Sequence, residues 1–171
     1  MSKPTLYLMV GYPGAGKTTA ARLIAEVTGA EHLWADHERR QRHGEPTYSH
    51  AENLALYKEL NDVAATKLAQ GKSVVYDTNF NFFKDREKLR QIAQQAGAET
   101  KLVWVTTDKQ TAKGRATTNA HKQETRVLGN MPVEHFERMS RNLEEPASSE
   151  QPIKIEGRDL TAATVRAYLG L

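Results

Sequence analysis

The chain has 171 residues, no cysteine and 24 Lys and Arg against 21 Asp and Glu, a formal net charge of +3. That length suits one domain over residues 1–171 with a real core, and the lack of thiols excludes disulfides, thiolate metal sites and cysteine nucleophiles. No apolar run approaches the ~20 residues that cross a bilayer, and Met1-Ser2-Lys3-Pro4 meets a strand too soon for a secretory signal, so the expected location is the cytoplasm, away from membranes.

Leu6 to Val10 is an apolar run of strand length. It ends in Gly11-Tyr12-Pro13-Gly14-Ala15-Gly16-Lys17-Thr18, which fits the phosphate-loop pattern G-x-x-x-x-G-K-[ST]. Thr19 and a helical stretch with Ala20, Ala21, Leu23, Ile24 and Ala25 follow at once. Each residue type has a chemical reason. Glycines let backbone N–H groups close around a phosphate without Cβ clashes, and the helix start adds unbonded donors. Lys17 can reach the β and γ phosphates, and the Thr18 hydroxyl can ligate Mg²⁺.

Thr28-Gly29 reads as a helix stop, and Glu31 to Ala35 as a short second strand. Asp36-His37-Glu38-Arg39 follows. On a helical turn Asp36 and Arg39 share a face. Both are expected to point into the crevice at the carboxyl edge of the sheet, where phosphoryl transfer to an alcohol calls for a carboxylate. Residues 41 to 49 read as a loop. A helix follows from about 50 to 70, because Leu56, Leu60, Val63, Ala64 and Leu68 recur at three and four. Tyr48, His50, Asn53 and Tyr57 are candidate acceptor contacts.

Val74-Val75-Tyr76 is a third strand ending in Asp77-Thr78-Asn79, and a strand-end Asp77 can hold Mg²⁺ directly or through water. Of Phe80, Phe82 and Phe83, at least one is expected to pack a helix onto the sheet. That helix runs from about 84 to 96. Lys101 to Thr106 is the fourth strand, and Asp108 caps a helix through about 119 that carries Arg115. The polar stretch that follows suggests a lid, over about 115–131 and containing Arg126. Pro132 opens a helix whose stripe of Val133, Phe136, Met139 and Leu143 reads as core. Ile153 to Ile155 is a fifth strand, and Thr161 caps a last helix. The six histidines show no metal-ligand spacing, so no zinc is assigned.

With Gly11 to Thr18, Asp36-x-x-Arg39 and Asp77-Thr78-Asn79 in place, the chain resembles the kinase domain of phage polynucleotide 5′-hydroxyl kinase. It also resembles that domain's small P-loop relatives, chloramphenicol phosphotransferase and the zeta-toxin kinases. The resemblance implies a P-loop three-layer α/β sandwich with a five-stranded parallel sheet of order 2-3-1-4-5, which the alternating strand and helix signals also suggest. It implies that Asp36 is the general base and that Arg39 orients the acceptor or its neighbouring phosphate. Arg115 and Arg126 would be lid arginines on the transferring phosphoryl, and the loop Ile155 to Arg158 would flank adenine. The stretch from Arg115 to Arg126 is longer than the compact lid of the phage enzyme.

The expected chemistry is ATP- and Mg²⁺-dependent phosphoryl transfer to an alcohol. The acceptor stays open between a nucleic-acid 5′ end and a small molecule (antibiotic, nucleoside or sugar nucleotide). An ATP-binding regulatory module with weak hydrolysis is the alternative of another class.

Overall fold

The computed structural model describes residues 2–119, 123–125 and 128–171. Five strands, β1 (Thr5–Val10), β2 (Glu31–Trp34), β3 (Val74–Asp77), β4 (Glu99–Val105) and β5 (Ile153–Ile155), form one sheet of order β2-β3-β1-β4-β5. Every pairing is parallel. The helices are α1 (Lys17–Thr28), α2 (Ala35–His43), α3 (His50–Ala69), α4 (Phe83–Gln95), α5 (Lys109–Thr117), α6 (Val133–Arg141) and α7 (Ala162–Leu169).

The sheet is all-parallel because its central strand is apolar on both faces. All six residues of β1 are buried. Side chains alternate across a strand, so Leu6, Leu8 and Val10 pack on one side with Leu56, Leu60, Leu68 and Leu89 of α3 and α4. Tyr7 and Met9 pack on the other with Ala20, Ala21 and Ile24 of α1 and Val165 of α7. Three layers follow from that alternation.

Local signals set the element ends. Gly29 closes α1 in the left-handed conformation at φ 75°, its N–H bonded to Ala25 O. Ser49, Asp108 and Thr161 accept from backbone N–H groups at the starts of α3, α5 and α7. Three expectations need correction. The stretch expected to be loop from residue 41 is helical through His43, held by Arg42 pairing with Glu38 one turn back and with Glu59 on α3. The stripe expected to be core divides: Phe136 is buried, Val133 is exposed, and Met139 lines the cleft described below. In β4, Glu99 pairs with Thr5, so that strand starts two residues before the expected Lys101.

A buried guanidinium ties α4 to the segment between α6 and β5. Arg86 Nε and Nη2 donate to Glu150 Oε1 and Oε2 at 2.8 and 3.0 Å, and Nη1 donates to Phe80 O and Glu144 O. Burial opposes the Glu150 charge, but Arg86 and Arg90 outweigh it and hold the carboxyl at about 2, below its ordinary 4.5. A depressed carboxylate stabilises the fold above its unfolded pKa and loses that contribution as pH falls through the folded one. Glu150→Ala should therefore cost about 3–5 kcal/mol in urea unfolding at neutral pH. The deficit should shrink as pH drops from about 4.5 toward 2.

Candidate active site

The carboxyl ends of β1, β2 and β3 lie along one sheet edge, because the three strands are parallel neighbours. Gly11, Ala35 and Thr78 follow them directly. The segments that leave this edge, with parts of α3, α5 and α6, wall a cleft of about 1420 Å³.

The glycine loop forms its floor. Gly14 has φ 80°, and a Cβ there would lie 2.2 Å from Ala112 O on α5, so both backbone angle and space demand glycine. Gly16 is the N-cap of α1, and no side chain caps that helix start. The first-turn N–H groups of α1 are thus a ready anion site. Lys17 Nζ donates to Gly11 O at 3.0 Å and Tyr12 O at 2.7 Å, which anchors the ammonium at the loop. Pro13, Gly14, Gly16, Lys17, Thr18 and Thr19 line the cleft. Gly11 and Ala15 are buried, and the Tyr12 ring packs on Phe136 with centroids 6.5 Å apart.

Asp36 sits in the first turn of α2 and lines the cleft together with Thr18 and Asp77. Arg39, one turn on, also lines it but is 3% exposed. Its Nη1 donates to Glu52 Oε1 at 2.8 Å, and its guanidinium lies 4.6 Å from the Tyr48 ring centroid. Asp77 is buried at the end of β3, and its Oδ2 lies 3.0 Å from His32 Nε2 on the paired strand β2. The His32 ring stacks on Trp34, and Trp34 stacks on His37.

Arg115, near the end of α5, lines the cleft and reaches Gly157 O at 3.5 Å. Arg126 lies outside the described residues. Arg158 is 60% exposed and donates to Asp108 Oδ2 at 2.7 Å, while its neighbours Gly157 and Asp159 line the cleft. Of the candidate acceptor contacts, Tyr48, His50, Asn53 and Tyr57 all line it. The Tyr57 hydroxyl lies 2.9 Å from Thr78 Oγ1, and burial raises its pKa. The Tyr48 ring meets His135 of α6 edge-on at 6.0 Å, and burial and then Arg138 lower the His135 pKa. Phe80 is buried against Tyr76, while Phe82 is 41% exposed on the cleft.

Several positioning residues escape a sequence reading. Asn81, 4% exposed, accepts from Gly11 N at 3.3 Å and donates back to Gly11 O at 3.4 Å. One amide thus grips both polar groups of the residue that starts the phosphate loop. Asn79 offers the same chemistry two residues away, so sequence does not choose between them. His32 depends on strand register. Gly157 leaves a clearer signal, a glycine between Glu156 and Arg158 in a turn: a Cβ there would lie 1.9 Å from Thr107 Oγ1, which itself donates to Ala15 O at 2.6 Å.

A family model described as an AAA domain matches residues 6–146. Uncharacterised proteins of Mycobacterium bovis and Mycobacterium tuberculosis are 34% identical over a region covering 56% of this chain. The chain spans about a fifth of their length, 21%. Among solved structures, a candidate kinase of Chloroflexus aurantiacus superimposes with a TM-score of 0.78 at 18% identity, over 99% of this chain and 98% of that one. The Mycobacterium tuberculosis APS kinase, solved with AMPPNP and APS, gives 0.66 at 18% identity over 100% of both chains. A chain of the Pnkp1/Rnl/Hen1 RNA repair complex gives 0.70 at 17% identity, over 84% of this chain and 45% of that one. At these identities the likeness is one of fold, a kinase-like P-loop fold. No helix among the described residues is long and apolar enough to cross a membrane.

Gly14→Ala should strain the loop at φ 80° and push it against α5. The expected loss is ~1–3 kcal/mol of unfolding free energy, measured by urea titration.

Proposed function

We propose that this chain, which belongs to the AAA domain family, transfers the γ-phosphoryl group of ATP to an alcohol. The observation that carries the reading is the shared cleft. Lys17 and Thr18 of the phosphate loop, Arg115 of α5 and the Asp36 carboxylate all line it. A module that only binds ATP has no use for a carboxylate in the same cleft.

In this reading the loop N–H groups and the α1 N-terminus hold the ATP phosphates. Asp36 accepts the acceptor's hydroxyl proton. The acceptor oxygen bonds to the γ-phosphorus, the bond from that phosphorus to the β–γ bridging oxygen breaks, and ADP leaves with that oxygen. Lys17 and Arg115 offset the charge on the transferring group, so most of the acceleration comes from positioning and electrostatics. The residues fit Mg²⁺. Thr18 and Asp77 line the same cleft and would supply two hard oxygen ligands, and the described residues contain no cage of three or more His, Asp or Glu. Such a sparse set suits a cation that keeps waters and takes phosphate oxygens. When bound, Mg²⁺ would neutralise phosphate charge. His32 holds the Asp77 carboxylate in orientation.

For the acceptor we infer a nucleic-acid 5′-hydroxyl, supported by the Asp36-x-x-Arg39 and Asp77-Thr78-Asn79 resemblance. The cleft also exceeds the roughly 300–1,000 Å³ of a single small-ligand site, which suits a bulky second substrate. Phe82 offers an exposed ring on which a base can stack. A small alcohol is the second reading. Salt separates the two, because several phosphate contacts along a strand give a steep loss of affinity with ionic strength.

Asp36→Asn should retain fold and ATP affinity and lower turnover by about 10²–10⁴, followed as ADP release with 5′-hydroxyl oligonucleotides and a small-alcohol panel. Unchanged turnover removes Asp36 from the mechanism. Lys17→Ala should abolish acceptor-dependent ADP release in the same assay, and normal activity there counts against the whole site.

A further inference from the structure

Ser49-x-x-Glu52 has the sequence of a capping box, in which the glutamate turns back to the N–H of its own cap residue. Half of the box forms: Ser49 Oγ accepts from Glu52 N at 3.1 Å. The carboxylate goes elsewhere. Its Oε2 accepts from Thr47 N at 2.9 Å and from the Thr47 hydroxyl at 2.7 Å, and its Oε1 accepts from Arg39 Nη1 at 2.8 Å. Both partners of the ion pair are nearly covered, at 3% and 8% side-chain exposure.

That pair sits beneath a strained loop. Tyr48 has φ 56°, a left-handed backbone that a bulky non-glycine residue adopts only when its surroundings impose it. The strain lays the Tyr48 ring over the Arg39 guanidinium, and the Tyr57 ring centroid lies 5.9 Å from it. Arg39 lines the cleft, yet its Nε is buried and has no hydrogen-bond partner among the described residues. An unpaired buried donor is costly, so the contacts around it must hold the guanidinium where it is.

We propose that Glu52 is a positioning residue for the acceptor subsite, fixing Arg39 in one orientation on the cleft wall while anchoring the loop that carries Tyr48. A lone arginine side chain has many rotamers, and a carboxylate on one end of its fork selects among them. The Thr47 hydroxyl and N–H, with Arg39, hold the Glu52 carboxyl down at about 2, so its charge persists throughout the neutral range. The catalytic meaning rests on the phosphotransfer reading, but the positioning itself does not.

The Arg39 Nε–H can be read directly by proton–nitrogen NMR on the full chain without ATP or acceptor, and assigned by its loss in Arg39→Lys. In the wild type it should be shifted upfield by the two tyrosine rings and slow to exchange with water. In Glu52→Gln it should move to the ordinary arginine position and exchange about tenfold faster or more. Glu52→Asp, one methylene short, should move it the same way and supplies the reading if the glutamine variant does not fold. Thr47→Val loosens the loop that carries Tyr48 and should reduce the ring shift while leaving the slow exchange in place. An exchange rate unchanged in both Glu52 variants, or raised equally by Thr47→Val, makes Glu52 a loop anchor only and overturns the proposal. With any acceptor that turns over, Glu52→Gln should raise acceptor KM about tenfold with KM for ATP unchanged, a split that equal changes in both would contradict. Absence of all phosphotransfer in the wild type would sink the catalytic reading and leave the NMR result standing.

Discussion

The parallel register of β2, β3 and β1 is the constraint on which the site depends. Parallel strands deliver their carboxyl ends to one edge, so Gly11, Ala35 and Thr78 emerge side by side although they are far apart in sequence. β1 is apolar on both faces and is buried between helical layers, as a parallel sheet covered on both sides requires. A one-residue slip would send Leu6, Leu8 and Val10 to the face now filled by α1 and α7, and it would misplace the phosphate loop at the same time. Core packing and site geometry are therefore one problem in this fold.

Around that edge, many of the polar contacts serve orientation. Asn81 grips the peptide that starts the glycine loop, His32 steadies Asp77, and Glu52 pairs with Arg39. Asp36 is exposed on the cleft at the start of its helix, and in the proposed reading it is the carboxylate that takes and releases a proton.

Much of this was legible in the residues. The glycine pattern, the apolar run before it and the helical period after it specify β1, the loop and α1, and the order of strands follows from alternating signals. Asp36 and Arg39 are on one face by helical spacing alone. Other features were not legible for physical reasons. The Arg39–Glu52 pair spans 13 residues, and Ser49-x-x-Glu52 reads equally well as a local cap. His32 meets Asp77 only through strand register. The end of α2 has no apolar period to betray it, because ion pairs hold it. Met139 follows a core-like spacing yet faces the cleft, since the small cluster beside α6 takes only Phe136 from that stripe.

The central claim, that the cleft passes a phosphoryl group from ATP to a hydroxyl, is tested most directly by following the label of γ-labelled ATP. The protein would be incubated with Mg²⁺ and a panel of 5′-hydroxyl DNA and RNA oligonucleotides, nucleosides and small alcohols, with Asp36→Asn in parallel. The account predicts label bound to an acceptor oxygen in the wild type and its loss in the variant. Label appearing only as free phosphate, at the same slow rate in both proteins, would contradict it and leave an ATP-binding module with weak hydrolysis.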